Sequence, residues 1–590
     1  MNSYGIYLKV LKQKGRLIKN FEKVKVHIEG LSPFIIFLIN PPDNHIEKLL
    51  WGFPSYVVFY RFEKEEEDFF KEIIELILKK HKSVFLVEIS QNIRQKADIG
   101  IYLKHYGDIT DVVDVLLVSL SDTKLYKHNL NVKVYKQRKS FFLKRRNIHY
   151  LNLSINPPYY DRNRFYPYIF RKFHHGFSVA LKKAIYTYLR KYTALKPIHY
   201  FSIGKRIFNK RVWNIDKKLS QIADSFDFIL SLTPVNVQQA WEHFKKNKFS
   251  IKPQFLYRPL SFEISHLKRQ LFNLPIDEIE DPTLYEIFSS KRDEVDLQLT
   301  ILESRDKGSV LWASAHMYGT PDDNIINVAK RILDIQENKV NNHTKISADS
   351  LLKMAQEEIN FYKKLYPGFN PKVKIRSDIV SKAIVSDGNL YIYKYSSFTQ
   401  KEAISLLNHE IGTHILTYIN GKTQKLSLLH VGLNGYEEMQ EGLAIIAEYL
   451  SDSLSINRLR VLSARVIAVD SIIKGADFIE VFRLLRNYGF EEKDSFMIAT
   501  RVFRGGGFVK DAIYLRGFLR LLEIFRDIDD IYLLYTGKYS FEHIPFIKEL
   551  VLRGVVYKPA VMPKYIIKND KKLQRLKTGL NIDTIIKDLK

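Results

Sequence analysis

One hexapeptide constrains this chain's fold more than any other stretch. His409-Glu410-Ile411-Gly412-Thr413-His414 places two imidazoles and a carboxylate close together, a set able to hold a metal and activate water. The surroundings read as helix. Thr399 followed by Glu402 is a capping box, which starts a helix at Gln400. Ile404, Leu407, Ile411 and Ile415 recur near one face, and Asn420-Gly421 is expected to end the helix in a left-handed cap. At roughly 100° per residue, histidines at i and i+5 stand roughly 140° apart on a regular helix. They cannot share an ion unless the helix widens, so the spacing predicts a π-bulge near Gly412, where glycine eases the distortion. Two plainer readings stay open. One is a pair of ordinary histidines on a buried helix beside a surface glutamate. The other is Glu410 with His414, at true i,i+4 spacing, as an acid/base pair without metal.

The next helical pattern, Gly432 to Leu450, carries Glu437, Glu438, Glu441 and Glu448. A catalytic zinc takes three protein ligands and keeps one open position. Two histidines and a downstream helical carboxylate are one such set. Glu441 lies beside Gly442 and Ala444, small residues that let two helices approach closely. Glu437, Glu438 and Glu448 read as a solvated face, or as groups standing behind the ligands.

Four stretches in order, HEIGTH, GLNGYEEMQEGLAIIAEYL, RVIAVDSIIKGADFIEVFRLL and RVFRGGGFVKDAIYLRGFLRLL, resemble the tyrosine carboxypeptidase family. That family includes the microtubule-associated tyrosine carboxypeptidases and the bacterial "flavohaemoglobin expression-modulating QEGLA motif" proteins; QEGLA stands here at Gln440 to Ala444. The resemblance runs from about Trp213 to about Lys564. It implies a zinc metallopeptidase that removes a C-terminal aromatic residue. On the matching motifs, His409, His414 and Glu441 would hold one Zn²⁺ per chain and Glu410 would be the general base. The HExxxH spacing is itself a family trait.

A carboxypeptidase must bind a free α-carboxylate, and a guanidinium is the natural partner. Arg501 to Asp511 is a triple-glycine loop carrying Arg501, Arg504 and Lys510, the candidate substrate-binding residues. The plainer reading is a salt-bridged hinge, with Arg504 or Lys510 paired to Asp511. Tyr514 is a candidate donor to the oxyanion of the reaction, with Tyr436 its rival.

The rest of the chain bounds the answer. Absence of cysteine excludes disulfides and thiolate-ligated zinc, and fits a reducing cytoplasm. No apolar run reaches the roughly 18 residues of a membrane span, and MNSYGIYLKVLKQKGR lacks a signal-peptide core. A cytoplasmic protein is therefore expected. The net charge of +27 favours polyanionic or acidic partners. Basic clusters at Lys136 to Arg146, Arg171-Lys172 and Lys205 to Lys218 have aromatics among them. No helix-turn-helix, finger or RNP-type motif accompanies them, so a lysine-rich surface is preferred to a nucleic-acid site.

Residues 1–205 mix predicted strands (Ser55–Tyr60, Ser83–Ile89, Val113–Leu120, Leu130–Tyr135, Ile148–Ile155) with helices at Lys64–His81 and Pro167–Thr193. His174-His175 reads as surface. Residues 206–590 read as mainly helical, with Asn389 to Lys394 as an edge strand. The fold class is α+β: an α/β accessory domain of unknown function at 1–205, then at 206–590 a zincin-like metallopeptidase domain with a small antiparallel sheet. The expected activity is zinc-dependent removal of a C-terminal Tyr or Phe from a peptide or protein. The alternatives are another zinc amide hydrolase (aminopeptidase, endopeptidase or amidase) and a non-enzymatic regulatory or nucleic-acid-binding scaffold.

Overall fold

In this computed structural model, the described residues are all except 1–3, 92–99, 126–127, 130, 137–146, 162–163, 306, 336–344, 378–381 and 569. Most of the basic stretch Lys136 to Arg146 therefore lies outside them. The protein is mixed α+β and divides into two units. The first comprises Met1–Val212, Pro275–Ser289 and Phe546–Val556; the second comprises Trp213–Leu274, Ser290–Pro545 and Tyr557–Lys590.

The first unit is built on eight strands: β1 (Leu17–Asn20), β2 (Val24–Ile28), β3 (Phe34–Ile39), β4 (Ser55–Phe59), β5 (Val84–Gln91), β6 (Gly100–Tyr106), β7 (Asn131–Lys136) and β8 (Ile148–Asn156). They pair in the order β1-β2-β4-β3-β5-β8-β6-β7. The central β4-β3-β5-β8 set is parallel. A parallel sheet needs both faces covered, and β3 shows how. Phe34, Ile36 and Leu38 enter one core, while Ile35 and Phe37 enter the other, the period-2 alternation of a strand. Helices α1 (Gly5–Lys14) and α2 (Lys64–His81) line one face, and α3 (Thr110–Ser121) and α4 (Pro167–Tyr192) the other. Glu63 and Glu66 close a capping box at the start of α2.

Two expectations fail here. Val113–Leu120 is helical, not a strand: Val112, Val113, Leu116, Ser119 and Leu120 are the buried positions of α3, a helical stripe that β-branched residues disguise. His174 is not a surface residue. It is 3% exposed on α4, and burial pushes its imidazole down to about 3. The basic residues Arg171, Lys172, Lys205 and Arg211 stand against Glu286, Glu280 and Glu278, which neutralises much of the local charge. A buried charge network also lies in this unit. Glu549 takes Lys182 Nζ at 2.7 Å, Thr283 Oγ1 at 3.0 Å and Arg553 at 2.8 Å, and Arg553 also pairs with Asp281.

The second unit carries the hexapeptide. Helix α5 (Ala348–Leu365), capped by Ser347, precedes three short strands, β9 (Val373–Arg376), β10 (Ala383–Ser386) and β11 (Asn389–Tyr393). The segment expected at an edge, β11, is the middle strand, in the order β9-β11-β10. The sheet is mixed and not purely antiparallel, because β9 runs parallel to β11. Then follow α6 (Gln400–His409), a π-helical segment (Glu410–Ile415), α7 (Leu416–Lys422), α8 (Tyr436–Leu450), α9 (Ile456–Ile473), α10 (Glu492–Phe503) and α11 (Ile513–Asp527).

Asn420 and Gly421 lie inside α7 and do not end it. The Asn420 side chain bonds the Tyr535 and Val561 carbonyls at 2.8 Å. A Cβ on Gly421 would fall 2.4 Å from the Leu429 carbonyl oxygen, so glycine is there for close packing. Helices α8 and α11 also meet at glycines: a Cβ on Gly442 would stand 2.6 Å from the backbone of Gly517. Among the described residues, no helix is long and apolar enough to cross a membrane.

Candidate metal centre

Thr399 Oγ1 accepts from the Glu402 amide and Glu402 returns the bond, so α6 starts at Gln400. The helix widens from Glu410 to Ile415, one residue C-terminal to His409. A π-turn takes one more residue than an α-turn, which brings i and i+5 onto the same side. The His409 and His414 rings consequently stand 4.9 Å apart, centroid to centroid. The widened backbone is braced by Tyr565, whose Oη lies 3.0 Å from Thr413 Oγ1 and 3.4 Å from the Gly412 carbonyl. A Cβ on Gly412 would press on the Tyr565 ring at 3.1 Å.

Glu441, on α8, completes a triangle. Its Oε2 is 3.6 Å from His409 Nε2 and 3.7 Å from His414 Nε2. Among the described residues this is the one group of three or more His, Cys, Asp or Glu side chains whose ligand atoms lie close enough to share an ion. Two ligands bound tetrahedrally at about 2.0–2.1 Å stand about 3.4 Å apart, so the spacing fits zinc with a small inward movement. Gln440, beside Glu441, ties α8 to the histidine helix by accepting from Thr417 Oγ1 at 2.7 Å.

The cage is backed by charge. Glu448, two turns beyond Glu441 and 1% exposed, lies 3.0 Å from His409 Nδ1. Arg458 on α9 holds both Glu448 oxygens at 3.2 Å. With Nδ1–H donating to Glu448, Nε2 is the ring atom turned towards Glu441 and left for a metal, the usual arrangement behind a metal-binding histidine. Burial opposes charge on His409, but Glu441, Glu448 and Glu410 outweigh it and carry the imidazole up to about 10. Glu441 is likewise held well below the usual carboxylate range: burial pushes it up, and His409 and His414 overcome this. Such a cage favours a cation. Glu410, next to His409, is half-buried. Glu448 was legible in one respect, since i and i+7 share a helix face; Arg458 had no local signal.

The basic loop is organised around Asp511, which is fully buried. Arg501 bonds both its oxygens, and Arg504 donates to Oδ1 at 3.0 Å. Burial raises the Asp511 carboxyl, but Arg501, Arg465 and Arg504 drive it far below its ordinary value. Lys510 pairs instead with Glu437 at 2.5 Å, and Glu438 pairs with Arg516 at 2.6 Å, so neither glutamate is simply solvated. Arg465 of α9, unremarkable in the sequence, joins the cluster with Nε 3.7 Å from Asp511 Oδ2. Its guanidinium lies 5.0 Å over the Tyr514 ring.

Tyr514 is raised by burial and by Glu441, with Arg501 and Lys510 pulling the other way; it stands in the fields of both the cage and the arginines. Tyr436 is flanked by Lys291 and Lys538, each 5.8 Å from its ring. Burial and then Glu437 raise it well above its ordinary value. The three glycines have positive φ and do not form an open cradle: Cβ atoms on Gly505 and Gly507 would press on Leu232 and Leu311.

Fold and site together define a helical domain that presents a histidine–carboxylate cage on a widened helix, with buried arginines nearby. The chain belongs to the microtubule-associated tyrosine carboxypeptidase family, whose model matches residues 242–583. Microtubule-associated tyrosine carboxypeptidase 1 of Rattus norvegicus is 27% identical over 220 residues, 35% of this chain and 45% of that protein. The Mus musculus protein of the same name is 28% identical over 188 residues, 29% of this chain and 39% of its own length. The chain thus spans less than half the length of these relatives. A crystal structure of a candidate lipoprotein from Colwellia psychrerythraea aligns with 64% of this chain and 78% of its own, at 12% identity and a TM-score of 0.31.

Proposed function

We propose that this chain is a zinc-dependent carboxypeptidase of zincin-like architecture that removes a C-terminal Tyr or Phe from a peptide or protein. The observation that carries the reading is the placement of the His409/His414/Glu441 triangle and the Asp511 arginine cluster around Tyr514. A peptidase that cuts only the last bond needs a hydrolytic centre and an anion site one residue apart.

His409, His414 and Glu441 are the residues that would hold zinc. Zinc there would supply Lewis acidity and bring water within reach of a carboxylate base near neutral pH. Glu410 takes the proton of the attacking water on a carboxylate oxygen and passes it to the departing amine nitrogen, so the proton is conserved. Tyr514 Oη donates to the carbonyl oxygen as negative charge develops, and Tyr436 is the rival for that role. Glu448 fixes the His409 tautomer from behind. The arginine cluster holds the free carboxylate. The names of the relatives suggest a protein C-terminus as substrate.

The test is zinc content together with peptide cleavage. About one zinc per chain, with release of Tyr or Phe from free-acid peptides and none from a Tyr-amide peptide, supports the reading. Zinc-dependent cleavage of the amide moves it to an endopeptidase or amidase. Neither zinc nor cleavage leaves a scaffold.

A further inference from the structure

The cluster around Asp511 has more positive charge than its own residues can use. Three guanidiniums surround one carboxylate. Arg501 makes two of the hydrogen bonds to Asp511 and Arg504 a third. These occupy both oxygens. Arg465 comes last: its Nε is 3.7 Å from Oδ2, outside hydrogen-bond range. That Nε is buried without a partner, and among the described residues the Arg465 side chain has no hydrogen bond. Burial and the neighbouring Arg501 push its guanidinium down to about 10. A buried charge without its hydrogen bonds is costly, and a second carboxylate would remove that cost.

The other basic groups of the site each donate to a carboxylate: Arg504, whose Nε is also buried without a partner, donates to Asp511. Lys510 is held by Glu437, Arg458 by Glu448, and Arg516 by Glu438. Arg465 alone among these pairs an unsatisfied guanidinium with a position over Tyr514, the side chain that also stands in the field of Glu441. Its side chain is 13% exposed, so a ligand can reach it. A planar guanidinium is suited to gripping a carboxylate with two parallel bonds.

We propose that Arg465 is the residue that receives the free α-carboxylate of the substrate, while Arg501 and Arg504, locked on Asp511, form the frame that aims it. The proposal deepens the exopeptidase reading and rests on it. It also reverses the expectation from sequence, in which the glycine-loop arginines make the contact themselves. Arg465 acts here as a specificity determinant that distinguishes a chain end from an internal peptide bond.

The experiment measures binding and not turnover. The full chain carrying Glu410→Gln is titrated with a fluorescently labelled short peptide ending in Tyr as the free acid, and with the same peptide as the amide. The acid is expected to bind about 10- to 100-fold more tightly, the range of a charge-assisted hydrogen-bond pair. Adding Arg465→Gln is expected to reduce that ratio to about threefold or less, without lowering the thermal midpoint, since one of three mutually repelling charges is removed. Arg465→Met is expected to behave alike. An unchanged acid/amide ratio in either variant overturns the proposal and leaves the exopeptidase reading standing. So does loss of the ratio in Arg501→Gln only. Unfolding of both Arg465 variants also overturns it, because the guanidinium would then be structural. Equal binding of acid and amide by the Glu410→Gln parent overturns the exopeptidase reading and the proposal together.

Discussion

Replacing Glu448 by glutamine probes the cage from behind without touching a ligand. Both Glu448 oxygens accept: Oε1 from His409 Nδ1 at 3.0 Å and Arg458 at 3.2 Å, Oε2 from Arg458 at 3.2 Å. Glutamine keeps the shape but offers one acceptor and one NH₂. Arg458 then faces a donor whichever way the amide is turned, His409 faces one in one of the two orientations, and the negative charge behind the imidazole is gone. Partners of this kind are typically worth 10- to 100-fold in metal affinity, which is about 1.4–2.7 kcal/mol at about 1.4 kcal/mol per tenfold. A chelator-competition titration with zinc measures it. Urea unfolding in EDTA separates the metal effect from fold stability, where loss of the Arg458 bonds is expected to cost about 1–3 kcal/mol. A folded Glu448→Gln protein whose zinc Kd stays within about twofold of the parent's would refute the reasoning, since carboxylates that bond a ligating histidine from behind typically count for more.

Asp511→Asn should lower stability by about 3–5 kcal/mol, the usual effect of breaking a buried ion pair, because three guanidiniums lose their shared carboxylate; the urea midpoint reports it. Gly421→Ala should cost about 1–3 kcal/mol by overpacking, as its Cβ meets the Leu429 carbonyl at 2.4 Å, and thermal melts against the parent check this. In the first unit, burial raises Glu549, but Lys182 and Arg553 outweigh it and hold it at about 2 against an ordinary 4.5. Its contribution to stability is therefore complete above 4.5 and lost as pH falls towards 2. Urea midpoints measured between pH 7 and pH 3 should fall less steeply for Glu549→Gln than for the parent.

What could be read from the sequence was what local geometry dictates. The i,i+5 histidines require a wide turn, and the helix widens at Glu410–Ile415. Thr399 and Glu402 cap α6, and Lys64–His81 and Pro167–Tyr192 form the helices their patterns imply. Errors arose where distant residues decide. Val113 to Leu120 is apolar enough for either a strand or a helix, and packing on the sheet selects the helix. Asn420-Gly421 looks like a stop signal, but its real partners are Leu429, Tyr535 and Val561. Arg465 and Arg458 sit in an apolar helical pattern, and only the fold places them beside Asp511 and Glu448.

Zinc-dependent hydrolysis with Glu410 as base is tested most directly by one comparison. Zinc per chain and tyrosine release from a free-acid peptide are measured side by side for the parent and for Glu410→Gln. The expected result is about one zinc in both proteins and release reduced by about 10²- to 10⁴-fold in the variant, the contribution of a positioned base. Full zinc-dependent release by Glu410→Gln would contradict it.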